Sequence, residues 1–503
     1  MAEQGKLRSF LAGILAALAG TAAGHLVAAL LVPASSPVLA VGTAVINLTP
    51  TWLKVWAVRE LGSKDKPVLV GSVLLGTLLL AGVAGLIARR RFALGAALLV
   101  LLVAAAGAAA VIQPAAGPLD AVPAIVTALV GLAVLAWLVR RSPASASSTE
   151  GPSRRGFLVG AGAVAIASVV VAGAGQLVIR TRNKISDIVL PKAQQPLPAL
   201  AAGLEQKYDG ISPFITERSK FYRVDTNLTV PVVDPDSWEL TVDGDVDEKV
   251  TFTFDELMKM DVVEHDITLT CVSNEVGGNL VGAARWLGVP LRDVLDRAGI
   301  GNTKADQILS TAVDGFTIST PLKVALDGRN SMVAFGMNGK PLPREHGFPV
   351  RLVTPGLYGY VGSTKWLEKL TLTTYDAREA YWTKRKWAID GPIKLSSRVD
   401  TPRPLSTIDA GQTVIGGVAW AQPDGVEKVE VRLDGGDWQE AKLGPSGGVE
   451  YWRQWYLPWK ADSGSHQIAV RATNRKGETQ TTARATPFPD GSTGVQEVVV
   501  TVA

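Results

Sequence analysis

The chain holds one cysteine in 503 residues, Cys271, at the end of a strand-like run, Asp266-Ile-Thr-Leu-Thr-Cys271, that opens into the polar, glycine-rich Val272-Ser-Asn-Glu-Val-Gly-Gly278. A thiol with no partner in its own chain cannot form an internal disulfide, so it is either a small buried hydrophobe or a functional sulfur. As a thiolate it is a soft anionic ligand, suited to a transition metal that cycles through oxidation states. The position after a strand and before a glycine-rich turn is one where a side chain can be held rigidly and still be approached.

Four segments carry a resemblance. The first is Phe221-Tyr-Arg-Val-Asp-Thr-Asn227, with Pro231 and Asp234-Pro-Asp-Ser-Trp238 after it. The second is Thr268-Leu-Thr-Cys271 followed by Trp286-Leu-Gly-Val-Pro-Leu291, and the third is Asp314-Gly-Phe-Thr-Ile-Ser-Thr-Pro-Leu322. The fourth is the most specific, Met337-Asn-Gly-Lys-Pro-Leu-Pro-Arg-Glu-His-Gly-Phe-Pro-Val-Arg-Leu-Val-Thr-Pro-Gly356, ending in Ser363-Thr-Lys-Trp366. In this order they resemble the sulfite oxidase family of molybdopterin-dependent oxidoreductases, over about residues 205 to 490.

The resemblance implies a molybdenum-molybdopterin cofactor with Cys271 as metal ligand and catalytic residue. It also implies cofactor contacts from Tyr222, Arg223, Asp314, His346, Arg351, Ser363, Thr364 and Lys365. Such types suit the task. A terminal phosphate is recognised by a bidentate guanidinium and a point charge, here Arg351 and Lys365, and hydroxyls at Ser363 and Thr364 add donors.

The chain also departs from the family. It has Arg223-Val-Asp-Thr-Asn227 where sulfite oxidases have Arg-Asn-His, Glu275-Val276 where they carry basic residues after the cysteine, and Phe335 where they have a tyrosine. A sulfite dianion needs cations, and Glu275 repels it. The resemblance therefore implies two-electron oxygen-atom transfer on a small substrate, with sulfite oxidation and methionine sulfoxide reduction as named alternatives. Arg285 is a candidate cation near the site. A membrane-tethered binding module without cofactor is the contrasting reading; the joint presence of Cys271, Arg351 and Lys365 speaks against it.

The elements that must hold these residues fall into two compositional classes. Residues 1 to 184 are rich in Ala, Leu, Val and Gly, and the rest has ordinary globular chemistry. Apolar runs at about 9 to 32, 67 to 88, 92 to 113, 119 to 139 and 156 to 179 each approach the ~20 residues that cross a bilayer. The run 37 to 58 contains Asn47, Pro50 and Lys54. With five spans, Lys6, Arg8, Arg89-Arg-Arg91, Arg140-Arg141 and Arg154-Arg155 all lie on one side, as the positive-inside rule requires. Residues 37 to 66 are then an outer-face interfacial or re-entrant element, with Trp52 and Trp56 at headgroup depth. Ser153-Arg-Arg-Gly-Phe-Leu158 resembles a twin-arginine export signal before the last span, and places the C-terminal part of the chain outside a bacterial plasma membrane.

The expected architecture is multi-domain. A transmembrane helix bundle (1–184) is followed by a proline-rich linker (185–204) that holds the soluble part off the membrane. An α+β molybdopterin-binding domain (205–395) and a C-terminal immunoglobulin-like β-sandwich (396–503) complete it. The sandwich resembles a dimerisation domain, which implies a homodimer. Trp452, Trp455 and Trp459 suit either a core or an interface. No haem is expected, since there is no Cys-x-x-Cys-His and only His25 among four histidines lies in a span. Expected partners are the bilayer, a small-molecule substrate and an unidentified electron-transfer partner; nothing points to nucleic acid.

Overall fold

The computed structural model describes residues 2–61, 64–140, 154–182, 185 and 188–503. Residues 141–153, with Arg141 and Ser153, lie outside them, as do residues 186–187 of the expected linker. Two compact units form, one of residues 1–184 with 226–232 and one of 185–225 with 233–503.

The first unit contains, among the described residues, seven α-helices: α1 (Ala2–Leu30), α2 (Pro37–Leu48), α3 (Thr51–Leu61), α4 (Asp65–Ala88), α5 (Phe92–Val111), α6 (Val122–Arg140) and α7 (Arg154–Arg182). Five segments are long and apolar enough to cross a membrane, Gly5–Leu30, Asp65–Ala88, Phe92–Val111, Pro118–Arg140 and Gly156–Ile179. The remaining stretch is broken into two short helices at Thr49 and Pro50, because proline has no N–H to continue the ladder. Trp52 and Trp56 on α3 are 71% and 48% exposed. Backbones approach closely at glycines: a Cβ on Gly13 would lie 1.9 Å from the Ala81 carbonyl oxygen and one on Gly85 2.1 Å from that of Ser9. Small residues are what allow helices to associate where hydrophobic driving force is lacking.

In the second unit, ten strands build two sheets. They are β1 (Glu239–Gly244), β2 (Val250–Thr253), β3 (Val263–Thr270), β4 (Val281–Pro290), β5 (Gln307–Ala312), β6 (Thr317–Pro321), β7 (Met332–Met337), β8 (Lys340–Pro341), β9 (Arg351–Val353) and β10 (Leu367–Thr373). One sheet runs β2-β1-β10-β5-β6, the other β3-β4-β7-β8 with β9 paired to β7. Side chains on β7 alternate from Met332 to Phe335 as a pleated strand demands, and a register shift against β4 between Ala334 and Gly336 then returns Met337 to the face of Met332. Val333 and Phe335 enter the core shared by the two sheets, and Met332, Ala334 and Met337 enter a second core with Phe221 and Trp286.

The sequence of residues 289–298, with Pro290 early and an apolar stripe of Leu291, Val294 and Leu295, reads as a helix, but the helix starts at Leu291, because Val289 pairs with Val333 in the sheet and Pro290 becomes the residue that caps the helix. The proline-rich segment is not a free spacer. Gln194 N–H donates to the Val262 carbonyl (3.0 Å), Leu197 N–H to the Glu264 carboxylate (3.1 Å), and Ala193 is buried in the shared core.

Beyond residue 395 the regular elements are all strands. β11 (Ser396–Thr401), β13 (Gly411–Trp420), β16 (Lys442–Leu443) and β17 (Arg453–Ala461) form one sheet. β12 (Thr407–Ile408), β14 (Val426–Leu433), β15 (Trp438–Glu440), β18 (Gly464–Asn474) and β19 (Gln496–Val502) form the other. Residues from both, among them Ile415, Val429, Trp455, Ile468 and Val500, make one core. All three tryptophans Trp452, Trp455 and Trp459 are buried within this chain.

Candidate molybdopterin site

Cys271 is buried and unpaired, and the loop after it is tied at each end. Its N–H donates to the Leu280 carbonyl (2.9 Å), the Asn274 N–H returns to the Cys271 carbonyl (3.0 Å), and the Asn274 side chain accepts from Leu280 N–H (2.8 Å). Burial pushes the thiol up, while hydrogen bonds from Ser273 and the charge of Lys365 pull it down. A metal at the sulfur would have to displace that proton. Among the described residues no three His, Cys, Asp or Glu side chains gather into a metal cage.

Arg351, the first residue of β9, is 5% exposed. Its Nη1 donates to the His346 carbonyl (3.1 Å), its Nη2 to that of Ser363 at a long 3.5 Å, and its Nε has no partner. The guanidinium carbon lies 5.1 Å from the centre of the Trp286 ring. Burial lowers Arg351 to about 10, against the opposing effect of Tyr222. A cation in this state calls for an anion, since a buried charge is stable only when it is paired. The Ser363 hydroxyl is likewise buried and without a partner.

Lys365 is brought alongside by an extended run in which Leu352 N–H donates to the Thr364 carbonyl (2.9 Å) and Leu367 N–H to that of Val350 (3.0 Å). Its Nζ pairs with Asp225 at 2.9 Å, and Arg223 Nε pairs with the same carboxylate at 2.8 Å. Gly347, at φ +110°, makes the run possible: a Cβ there would lie 3.0 Å from Lys365 Cα and 3.1 Å from Arg351 Cβ. His346 Nε2 lies 3.0 Å from the Arg218 carbonyl oxygen. A carbonyl can only accept, so this contact fixes a proton on Nε2. Burial first, then Arg351, holds His346 down at about 4, so it is neutral near pH 7.

Tyr222 is packed on Phe221 (ring centres 5.2 Å apart), and burial followed by the charge of Cys271 raises its phenol. A Cβ on Gly359 would stand 3.8 Å from the Tyr222 hydroxyl and 3.9 Å from the Thr270 carbonyl oxygen, so open backbone faces this corner. The structure therefore brings together Cys271, Tyr222, Arg223, His346, Arg351, Ser363 and Lys365. Two others have local duties. The Thr364 hydroxyl is engaged with that of Ser310, and the Asp314 carboxylate accepts from Phe316 N–H (2.9 Å) in the β5–β6 turn.

Two residues read from the sequence as bearing on substrate lie elsewhere. Phe335 is in the core between the sheets, 6.2 Å from Phe254 between ring centres. Arg285 makes a two-pronged pair with Asp266 (2.8 and 2.7 Å) and donates to the carbonyls of Leu197 and Pro198. Its charge is thus already used. Sequence reasoning misses Tyr358. This residue is buried, accepts from Lys394 N–H (3.3 Å), and is raised to about 12 by burial, with the charge of Cys271 contributing. It falls in the gap between Gly356 and Ser363, and only its aromatic type among glycines could have marked it.

The residues fit a molybdenum-pterin group. Arg223, Lys365 and Arg351 supply three positive charges and Asp225 one negative, a remainder of two, which matches a phosphate monoester dianion.

Residues 227–382 match the oxidoreductase molybdopterin binding domain. The mitochondrial sulfite oxidase of Homo sapiens is 29% identical over 56% of this chain, and the match takes in 61% of that protein. The NADH nitrate reductase 1 of Oryza sativa subsp. japonica is 29% identical over 53% of this chain and 36% of its own length. Among solved structures, the sulfane dehydrogenase SoxCD from Paracoccus pantotrophus superposes with a TM-score of 0.51 at 21% identity, covering 58% of this chain and 84% of that one, a likeness of fold. Residues 227–382 thus carry a molybdopterin-binding oxidoreductase domain, and the chain is similar to the sulfite oxidases, spanning about three fifths of the length of those it matches.

Proposed function

We propose that the protein is a membrane-anchored molybdenum oxidoreductase that moves an oxygen atom to or from a small, uncharged or zwitterionic substrate. The observation that carries the cofactor reading is the buried, incompletely satisfied Arg351 guanidinium, set among Lys365, Ser363 and Cys271. In this reading Cys271 ligates the metal, Arg351, Lys365 and Ser363 hold the phosphate, Tyr222 and neutral His346 flank the pterin, and Arg223 fixes the charge balance. The bound group supplies the two-electron redox chemistry. The chain's own residues bind, orient and exclude water.

The substrate reading rests on charge. Glu275 is exposed on the loop that Cys271 opens, and Arg285 is committed to Asp266. An uncompensated carboxylate near a partly dehydrated site disfavours an anionic oxyacid. Sulfoxides and N-oxides carry no such penalty. Steady-state kinetics with sulfite beside a sulfoxide and N-oxide panel, using an artificial electron carrier, should favour the neutral compounds. A wide preference for sulfite overturns the substrate assignment and leaves the cofactor assignment standing.

Five apolar helices, with basic residues on one predicted side, support an anchor that places residues 185–503 outside a bacterial plasma membrane. The arginine pair of Arg154 and Arg155 supports twin-arginine export, a route for a folded, cofactor-loaded domain. The two-sheet C-terminal region supports an immunoglobulin-like domain that mediates homodimers, with boundaries at about residues 205 and 396.

A further inference from the structure

Asp225 stands where the family pattern has no aspartate, and the proposed cofactor contacts give it no role. Its side chain is 5% exposed and pairs with both Lys365 Nζ (2.9 Å) and Arg223 Nε (2.8 Å). A carboxylate beside a phosphate site is at first sight adverse, because like charges repel. Two facts decide otherwise. Lys365 has only 12% of its side chain exposed, and its hydrogen bond to the Glu345 carbonyl is weak, at 3.4 Å. An ammonium so placed is expensive to keep charged without an anionic partner.

We propose that Asp225 is a positioning residue for the cofactor phosphate: by pairing with Lys365 and Arg223 together, it keeps the Lys365 ammonium protonated and pinned in the clamp. The inference rests on the molybdopterin reading above. Arg223, Arg351, His346 and the Cys271 thiol are the other charged or titratable groups that act on Lys365 or feel its charge. Burial already brings Lys365 down to about 8, and Asp225 is the chief influence in the other direction. Without the carboxylate, Lys365 loses its proton closer to neutrality, and the phosphate clamp loses one of its charges. Arginine at the same place needs no such support, because its proton is not lost in proteins.

The test uses full-length protein from a pterin-competent host. Molybdenum and pterin retained after gel filtration are measured at about pH 6 and about pH 7.5, both below the value of about 8 that Lys365 holds while paired with Asp225, together with the melting temperature. Wild type should retain both at both pH values. Asp225→Asn should match wild type at the lower pH and retain about tenfold less at the higher, and adding Lys365→Arg should restore retention. Equal retention by Asp225→Asn and wild type at the higher pH overturns the inference. So does equal loss at both pH values with a lowered melting temperature, which marks a merely structural role. If the single variant fails to fold, the double variant decides: retention at both pH values supports the inference, and loss at both overturns it. Wild type without molybdenum overturns the cofactor reading itself.

Discussion

At the scale of residues, the site is a small set of charges and hydroxyls whose ordinary states are disturbed by burial. His346 titrates at about 4 in the folded chain, against about 6.5 unfolded. Between these values the unfolded chain binds the proton and the folded chain does not, so stability falls as pH drops from 6.5 to 4 and levels off below. The loss is on the order of 3 kcal/mol at most. Thermal melts of the wild type should therefore drop over this window, and His346→Gln should flatten part of the drop; an unchanged slope in the variant contradicts the assignment. Cys271 is legible in the sequence because it has no competitor in the chain. Asp225 is not legible as a partner of Lys365, because the two are 140 residues apart and nothing local announces their meeting. Phe335 and Arg285 mislead because position along a strand does not reveal which face a side chain takes. Alternation on β7 sends Phe335 inward, and Asp266 opposite Arg285 on the β3–β4 ladder claims its charge.

At the scale of elements, Gly347 and the β9 region do the placing. The αL turn at Gly347 allows the run Ser363 to Trp366 to pass against it, and so sets Lys365 beside Arg351. Gly347→Ala adds a Cβ in a region L-residues rarely adopt and within 3.0 Å of backbone. The expected cost is roughly 1–3 kcal/mol of stability, with a loss of cofactor retention out of proportion to it. Paired melting and molybdenum measurements check this, and a variant that keeps full cofactor would show that the turn does not shape the clamp. Strands with clean alternation, such as Gln496–Val502, are readable from sequence within a residue or two. The end of β4 is not, since Pro290 reads as a helix start while Val289 is held by its ladder partner. The segment 191–198 looks like a spacer for want of periodicity, yet it is fixed by hydrogen bonds to Glu264 on β3 and to Arg285 that no local pattern encodes.

At the scale of the whole molecule, a hydrophobic unit and a redox unit share one chain, and the length of the apolar runs and the placement of charge make that division legible in the sequence itself. The break at Thr49 and Pro50 leaves helices of 12 and 11 residues, too short to span, which agrees with the charge count. Reporter fusions at Lys64 and Gln195 should both be external and one at Ser145 cytoplasmic. An internal signal at Lys64 would restore a sixth span and reverse the orientation argument. The central claim is that the soluble unit is a molybdenum site built on one thiolate and one phosphate clamp. It is tested most directly by the metal content of three full-length proteins made in a pterin-competent host: wild type, Cys271→Ser and Arg351→Met. Wild type should carry about one molybdenum per chain, a single thiolate holding a single metal. Arg351→Met should carry about a tenth of that and fold at least as stably, since a buried cation short of partners is removed. Cys271→Ser should fold and lose activity with any substrate. Wild type free of molybdenum, or Arg351→Met fully loaded, would contradict the account.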